Sequence, residues 1–163
     1  MENGFEEFAA SELPRLLALA RALTANSHDA WDLTQEALVR VGVRWSRLAS
    51  QNPGGYARTV LVRLNIDRIR RLRRELLGPA VPDADAPVQL SGELDDSLQQ
   101  ALATLTPKQR AAVVLRTVED LDHATIAELM GCSVPTARSH LSRGLDRMRI
   151  ALADTPEHQE ARP

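Results

Sequence analysis

Apolar residues recur at steps of three and four along most of the chain, and strict alternation is scarce, so the pattern predicts an all-α protein. A first helix runs from Phe5 to about Ala25, with Ser11 placed to cap a second segment and Pro14 in its opening turn. A helix over His28–Leu48 sets Leu33, Ala37, Val41, Trp45 and Leu48 on one face and Asp32, Gln35, Glu36 and Val39 on the other. The stretch "ASQNPGGY" breaks the chain. Asn52 as a cap, with Pro53 at the first helical position, then opens a helix to about Leu76. Arg63, Asp67, Arg70 and Arg74 share one face of that helix. Further on, Leu94, Leu98, Ala101, Leu102 and Leu105 form an apolar stripe, and "TPKQ" (Thr106–Gln109) is a capping box opening a helix to about Val118. Asp122 caps a short helix ending near Gly131. The last helix starts around Ser133–Pro135 and turns Ala137, Leu141, Leu145, Met148 and Leu152 inward.

The stretch Gly78–Gly92, "GPAVPDADAPVQLSG", has three prolines, two glycines and no helical period, and so reads as a linker. The expected organisation is a helical domain over 1–77, a linker over 78–92, a second helical domain over 93–154 and a polar tail over 155–163. No apolar run reaches the roughly 18–20 residues of a membrane span. The start "MENGFEEFAASEL" is acidic where a signal peptide would be basic. A single cysteine, Cys132, leaves no internal disulfide and no multi-cysteine zinc site, and it reads as a turn residue. His123 has no metal partner at suitable spacing and reads as a capping or surface residue. A cytoplasmic protein follows.

The net charge of −2 hides a segregated pattern. Residues 1–37 carry two Arg against seven acids, and residues 56–77 carry seven Arg against two. Residues 78–96 hold five acids and no base, whereas residues 131–151 hold four Arg against one acid. Local charge governs contact with phosphate, so two basic blocks point to a polyanion despite the acidic total. Nineteen of the twenty basic residues are Arg, whose planar fork suits phosphates and base edges.

The stretch "TIAELMGCSVPTARSHLSRGLDRMR" has the parts of a helix-turn-helix: a short helix, a glycine turn, and a second helix with hydrogen-bonding side chains at its start. Ile126, Ala127 and Met130 can face inward, Gly131 can take the left-handed turn and Ser133 can cap. Thr136, Arg138, Ser139, His140, Ser142 and Arg143 then face outward, and no acid falls between Ser133 and Leu145. A solvated hairpin face would carry Glu and Lys more often, so the pattern favours reading of DNA bases and phosphates. The first half pairs an acidic helix face with a basic helix, as in a domain that meets a protein partner and nucleic acid together.

With these segments in order, the chain resembles the extracytoplasmic-function sigma factors, the small two-domain members of the sigma-70 family of bacterial transcription initiation factors. "AWDLTQEALVRV" is similar to the region 2 helix that docks on core RNA polymerase. "NPGGYARTVLVRLNIDRIRRLRR" is similar to the promoter-melting and minus-ten segment, and "LTPKQRAAVVLRTVEDLDHATIAELMGCSVPTARSHLSRGLDRMR" to region 4, which reads the minus-35 element. The resemblance implies polymerase contacts at Asp32, Leu33, Gln35, Glu36 and Val39. It implies minus-ten contacts at Leu48, Gln51, Asn52, Pro53, Arg63, Asn65, Arg68, Arg70, Arg71, Arg73 and Arg74, with the loop Leu48–Pro53 holding a flipped base. It implies minus-35 contacts at Ser133, Pro135, Thr136, Arg138, Ser139, His140, Ser142, Arg143 and Arg147.

Four positions depart from the family pattern: Arg63 stands where many relatives carry Asn, with Asn65 displaced by two, and His123, Pro135 and His140 replace commoner residues. The implied partners are core RNA polymerase and promoter DNA, with an anti-sigma factor common in the family. No cofactor, small-molecule substrate or membrane contact is implied. Nothing in the chain supplies a nucleophile–base pair, metal cluster or phosphate loop, so the reading is not an enzyme. The rivals are a dimeric helix-turn-helix repressor or activator, and a sigma-like regulator that binds protein without opening promoters. Geometry accommodates the two-element reading, since fifteen linker residues reach at most ~50 Å at full extension.

Overall fold

The computed structural model describes residues 2–77 and 96–154, and the linker Gly78–Gly92, Leu94 and the tail from Thr155 lie outside the described residues. Eight α-helices and no strand occur among the described residues. The helices are α1 (Glu2–Thr24), α2 (Ser27–Val43), α3 (Trp45–Leu48), α4 (Pro53–Leu77), α5 (Asp96–Ala103), α6 (Pro107–Thr117), α7 (His123–Met130) and α8 (Val134–Ala153). None of them is long and apolar enough to cross a membrane.

In the N-terminal half, α1, α2 and α4 pack pairwise around Leu16, Leu19, Ala20, Leu23, Ala30, Ala37, Val41, Ala57, Leu61 and Ile66. Asn26 starts α2 by accepting the Asp29 amide at 3.0 Å. Two sequence expectations change here. Ser11 does not begin a second segment: α1 is continuous through Pro14, and the Ser11 hydroxyl donates back to the Phe8 carbonyl at 2.8 Å. Pro14 and Ala10 are both exposed, so water can satisfy the carbonyl that proline leaves unpaired. The helix expected over His28–Leu48 divides at Arg44, whose amide bonds Val41 at 3.0 Å. The break lets Trp45 turn onto Phe5 and Phe8, with ring centroids 5.5 and 5.1 Å away, at distances where aromatic pairs attract.

In the C-terminal half, α8 lies across α5, α6 and α7. The capping box at Thr106 is present in both directions: its hydroxyl accepts the Gln109 amide and the Gln109 side chain accepts the Thr106 amide, each at 3.2 Å. Ala101, Leu102 and Leu105 are buried, but Leu98 is 39% exposed, so the apolar stripe of α5 is narrower than the spacing suggested. Leu145, Met148 and Leu152 are half-buried behind the fully packed Ala137 and Leu141. Gly144 allows α8 to close on α6: a Cβ there would sit 2.7 Å from Val113 Cγ2.

The two halves touch. Helix α1 packs on α6, and α4 packs on α7. Arg58 of α4 pairs with Glu119 at 3.1 Å, and the Arg110 guanidinium, almost fully buried, reaches the Leu23 carbonyl at 3.5 Å. Arg110 also donates to the carbonyls of Leu102 at 3.0 Å and Leu105 at 3.2 Å. Burial, with Arg68 nearby as a second cation, lowers its pKa to about 10, and it stays charged at neutral pH. Carbonyl oxygens, with no carboxylate bonded to it among the described residues, offset the desolvation of this charge.

Candidate nucleic-acid interface

The helix-turn-helix is assembled by three local devices. Asp122 caps α7 by accepting the Thr125 amide at 2.7 Å, and this amide, with the Thr125 hydroxyl, holds the Asp122 carboxyl below its usual pKa. Gly131 ends α7 at φ +64°, and the Cys132 amide returns to the Ala127 carbonyl at 3.0 Å. Ser133 caps α8, accepting the Thr136 amide at 3.3 Å, with Pro135 in the first turn where no amide is needed. Ile126, Ala127, Met130, Ala137 and Leu141 form the seam between the two helices.

This seam leaves Ser133, Pro135, Thr136, Arg138, Ser142 and Arg143 exposed, with Ser139 and His140 half-buried beside them. Together they form one polar, basic strip at the start of α8, where free amides and the helix dipole also favour anions. Arg147 lies elsewhere. It turns toward α6 and donates to the Gln109 side chain at 3.3 Å and the Thr104 carbonyl at 3.5 Å, so it braces α8 from behind.

On α4, Arg63, Arg70, Arg71 and Arg74 are exposed and Arg68 and Arg73 half-buried. Arg68 is committed to the Asp29 carboxylate. Asn65, which the resemblance placed among the minus-ten contacts, is fully buried, and neither its amide nitrogen nor its oxygen has a hydrogen-bond partner among the described residues. In the loop before α4, Gln51 and Asn52 are exposed and Pro53 half-buried, while Leu48 is a core residue beneath them. Asn52 accepts the Gly55 amide at 2.9 Å, so the cap predicted for α4 forms.

Asp32, Gln35, Glu36 and Val39 lie on the outward face of α2, and Leu33 lies beneath them in the core. Glu36 pairs with Arg40 at 2.9 Å and Asp32 with His28 at 3.6 Å, both across exposed helix turns. Sequence reasoning missed two neighbours, Trp31 at 41% and Val43 at 81% exposure, which extend the strip with apolar surface. Their signal was legible as apolar residues outside the helical period of the core face. A protein partner would cover them.

The chain matches the family models described as Sigma-70 region 2, over residues 8–75, and Sigma-70 region 4, over residues 95–148. It is 36% identical over 152 residues to the RNA polymerase sigma-E factor of Streptomyces avermitilis, covering 91% of this chain and 84% of the relative. It is 35% identical over 161 residues to the ECF RNA polymerase sigma factor SigE of Mycolicibacterium smegmatis, covering 91% of this chain and 62% of that longer protein. Among solved structures it is similar to the sigma factor RpoE of Bartonella quintana, crystallised with the anti-sigma factor NepR. That match has a TM-score of 0.63 and 27% identity, and covers 92% of this chain and 97% of that one. An all-α architecture with an exposed acidic strip, an arginine-rich helix and a capped helix-turn-helix thus coincides with both family models, and the chain belongs to the ECF sigma factors of the sigma-70 family, which are initiation factors and not enzymes.

Proposed function

We propose that this chain binds core RNA polymerase through the outward face of α2, directs it to a subset of promoters and helps open the DNA there. The observation that carries the reading is the division of one small bundle into two surfaces: the acidic strip of α2 and the arginine face of α4. Asp32, Gln35, Glu36 and Val39, extended by Trp31 and Val43, meet the polymerase, and the buried Leu33 fixes the strip in place. Gln51, Asn52, Arg63, Arg70, Arg71 and Arg74 track the minus-ten strand, with Arg68 and Arg73 set deeper behind them. Leu48, Pro53 and Asn65 shape the scaffold under that surface. The exposed start of α8 reads the upstream duplex, with Arg138 and Arg143 supplying the forked donors. Such a protein works in the cytoplasm, where polymerase and promoter are. An anti-sigma factor of the kind bound to the Bartonella relative would act by covering these surfaces.

Replacing both Asp32 and Glu36 by Ala tests the polymerase contact. Binding of labelled chain to purified core polymerase weakens by about tenfold or more, while far-ultraviolet circular dichroism stays unchanged because both positions are exposed. Unchanged affinity sinks the assignment.

A further inference from the structure

Helix α1 leaves a space against the helices that face it. A cavity of about 340 Å³ is walled by Ala18 and Leu19 from α1, Leu98 and Leu102 from α5, Val113 from α6 and Met148 from α8. Leu19, Leu102 and Val113 are buried, so its floor is apolar core. Leu98 and Val118, the latter 57% exposed, also line it, so the cavity opens to the surface.

The polar residues in the lining are Arg15, Thr117 and Glu119. Two of them are engaged within the chain. The Thr117 hydroxyl donates to the Val113 carbonyl at 2.8 Å, and Glu119 is neutralised by Arg58 at 3.1 Å. Arg15 is exposed at the mouth, and its guanidinium forms no ion pair or hydrogen bond among the described residues. Ordered water needs about two to four polar partners, which these walls do not offer. An apolar guest with one anionic group matches what is left: an apolar body for the walls and a charge for Arg15. Size sets the length of that guest. An apolar cavity of about 150 Å³ takes a six-carbon ring, so one of about 340 Å³ takes roughly twelve carbons in the same proportion.

We propose that this cavity binds a single-chain anionic amphiphile of about twelve carbons. Its alkyl chain lies among the leucine, valine and methionine side chains, and its carboxylate or phosphate head lies on the Arg15 guanidinium, whose planar fork suits both. A cationic head meets like charge at Arg15. A polyol finds no free partners for its hydroxyls and is excluded by the cost of burying them. The site shares no residue with the surfaces assigned to polymerase and DNA, and its occupation does not depend on that reading.

Calorimetric titration of the full-length chain provides the test, with dodecanoate, dodecyl phosphate and dodecyltrimethylammonium each kept below its micelle concentration at neutral pH. An anion is expected to bind once per chain with a Kd on the order of 10 μM, and the cation about tenfold more weakly or worse. The tighter of the two anions identifies the head group. Arg15→Glu should weaken the anions by about tenfold and strengthen the cation, inverting the preference. Ala18→Phe sets a ring into the cavity from an exposed position of α1, so it should remove anion binding while far-ultraviolet circular dichroism stays unchanged. Four results overturn the site: no saturable heat with either anion, several anions per chain, a cation bound as tightly as the anions, or full anion affinity in Ala18→Phe. An Arg15→Glu variant that keeps the parent's preference for anions overturns it equally.

Discussion

Gly144 sits in the interior of α8, where glycine costs about 1 kcal/mol relative to alanine. Its buried position next to α6 explains why the cost is borne. An alanine Cβ would lie 2.7 Å from Val113 Cγ2, 3.3 Å from the Gln109 carbonyl and 3.4 Å from Gln109 Cβ. Carbon atoms in contact settle at about 3.5–4.0 Å, so α8 or Val113 must give by roughly 1 Å. Overpacking of this kind costs about 1–3 kcal/mol, which outweighs the gain in helix propensity. Gly144→Ala should therefore destabilise the C-terminal half by about 1 kcal/mol, lowering its melting temperature by about 4–8 °C. Thermal unfolding followed by far-ultraviolet circular dichroism on the whole chain reads this out. Adding Val113→Ala removes the opposing methyl, so the pair should show a favourable coupling of about 1 kcal/mol in a double-mutant cycle. A higher melting temperature for Gly144→Ala, or independent effects of the two changes, would refute the close-approach argument.

Three further outcomes are expected. The lowered pKa of Asp122 adds stability that is complete above the ordinary carboxylate pKa and is lost as pH falls through the lowered value. As pH falls through and below the ordinary carboxylate range, an Asp122→Ser variant, whose cap does not titrate, should lose less stability than the parent; parallel curves would contradict the cap's contribution. Asn65→Leu removes an amide buried without a hydrogen bond, whose cost is about 1–3 kcal/mol, so chemical denaturation should show equal or greater stability. A clear loss would mean that the amide has a partner. Arg138→Ala should cost about 1–3 kcal/mol of upstream-element binding and relax specificity at one base position; an equal loss on every sequence would make Arg138 a phosphate contact.

The helix-turn-helix was legible because its determinants are local: Asp122, Gly131 and Ser133 each act within three or four residues, and the structure uses each as the spacing predicts. The exposed strips on α2 and α4 were legible for a related reason, since helical period alone separates Asp32, Gln35 and Glu36 from the core. The same period set Leu33 and Leu48 on the core face, where they are buried. The resemblance also carried them, with the buried Asn65, among the contacts, because a family segment holds its supports and its surface residues together. Arg147 was misplaced by its basic character; only the position of α6 behind α8 directs it to Gln109. Gly144 left a faint signal, a glycine inside a helical period. Arg110 left none, because its burial depends on carbonyls from α5, the loop after it, and α1. The packing of α1 on α6 is the least legible feature of all, since it joins segments separated by most of the chain.

Run-off transcription with purified core RNA polymerase on a genomic promoter pool tests initiation-factor function most directly. The predicted result is a discrete set of transcripts that needs chain and core together, with neither sufficient alone. Footprinting of a symmetric duplex site by the chain alone, with no transcripts when core is added, would contradict it.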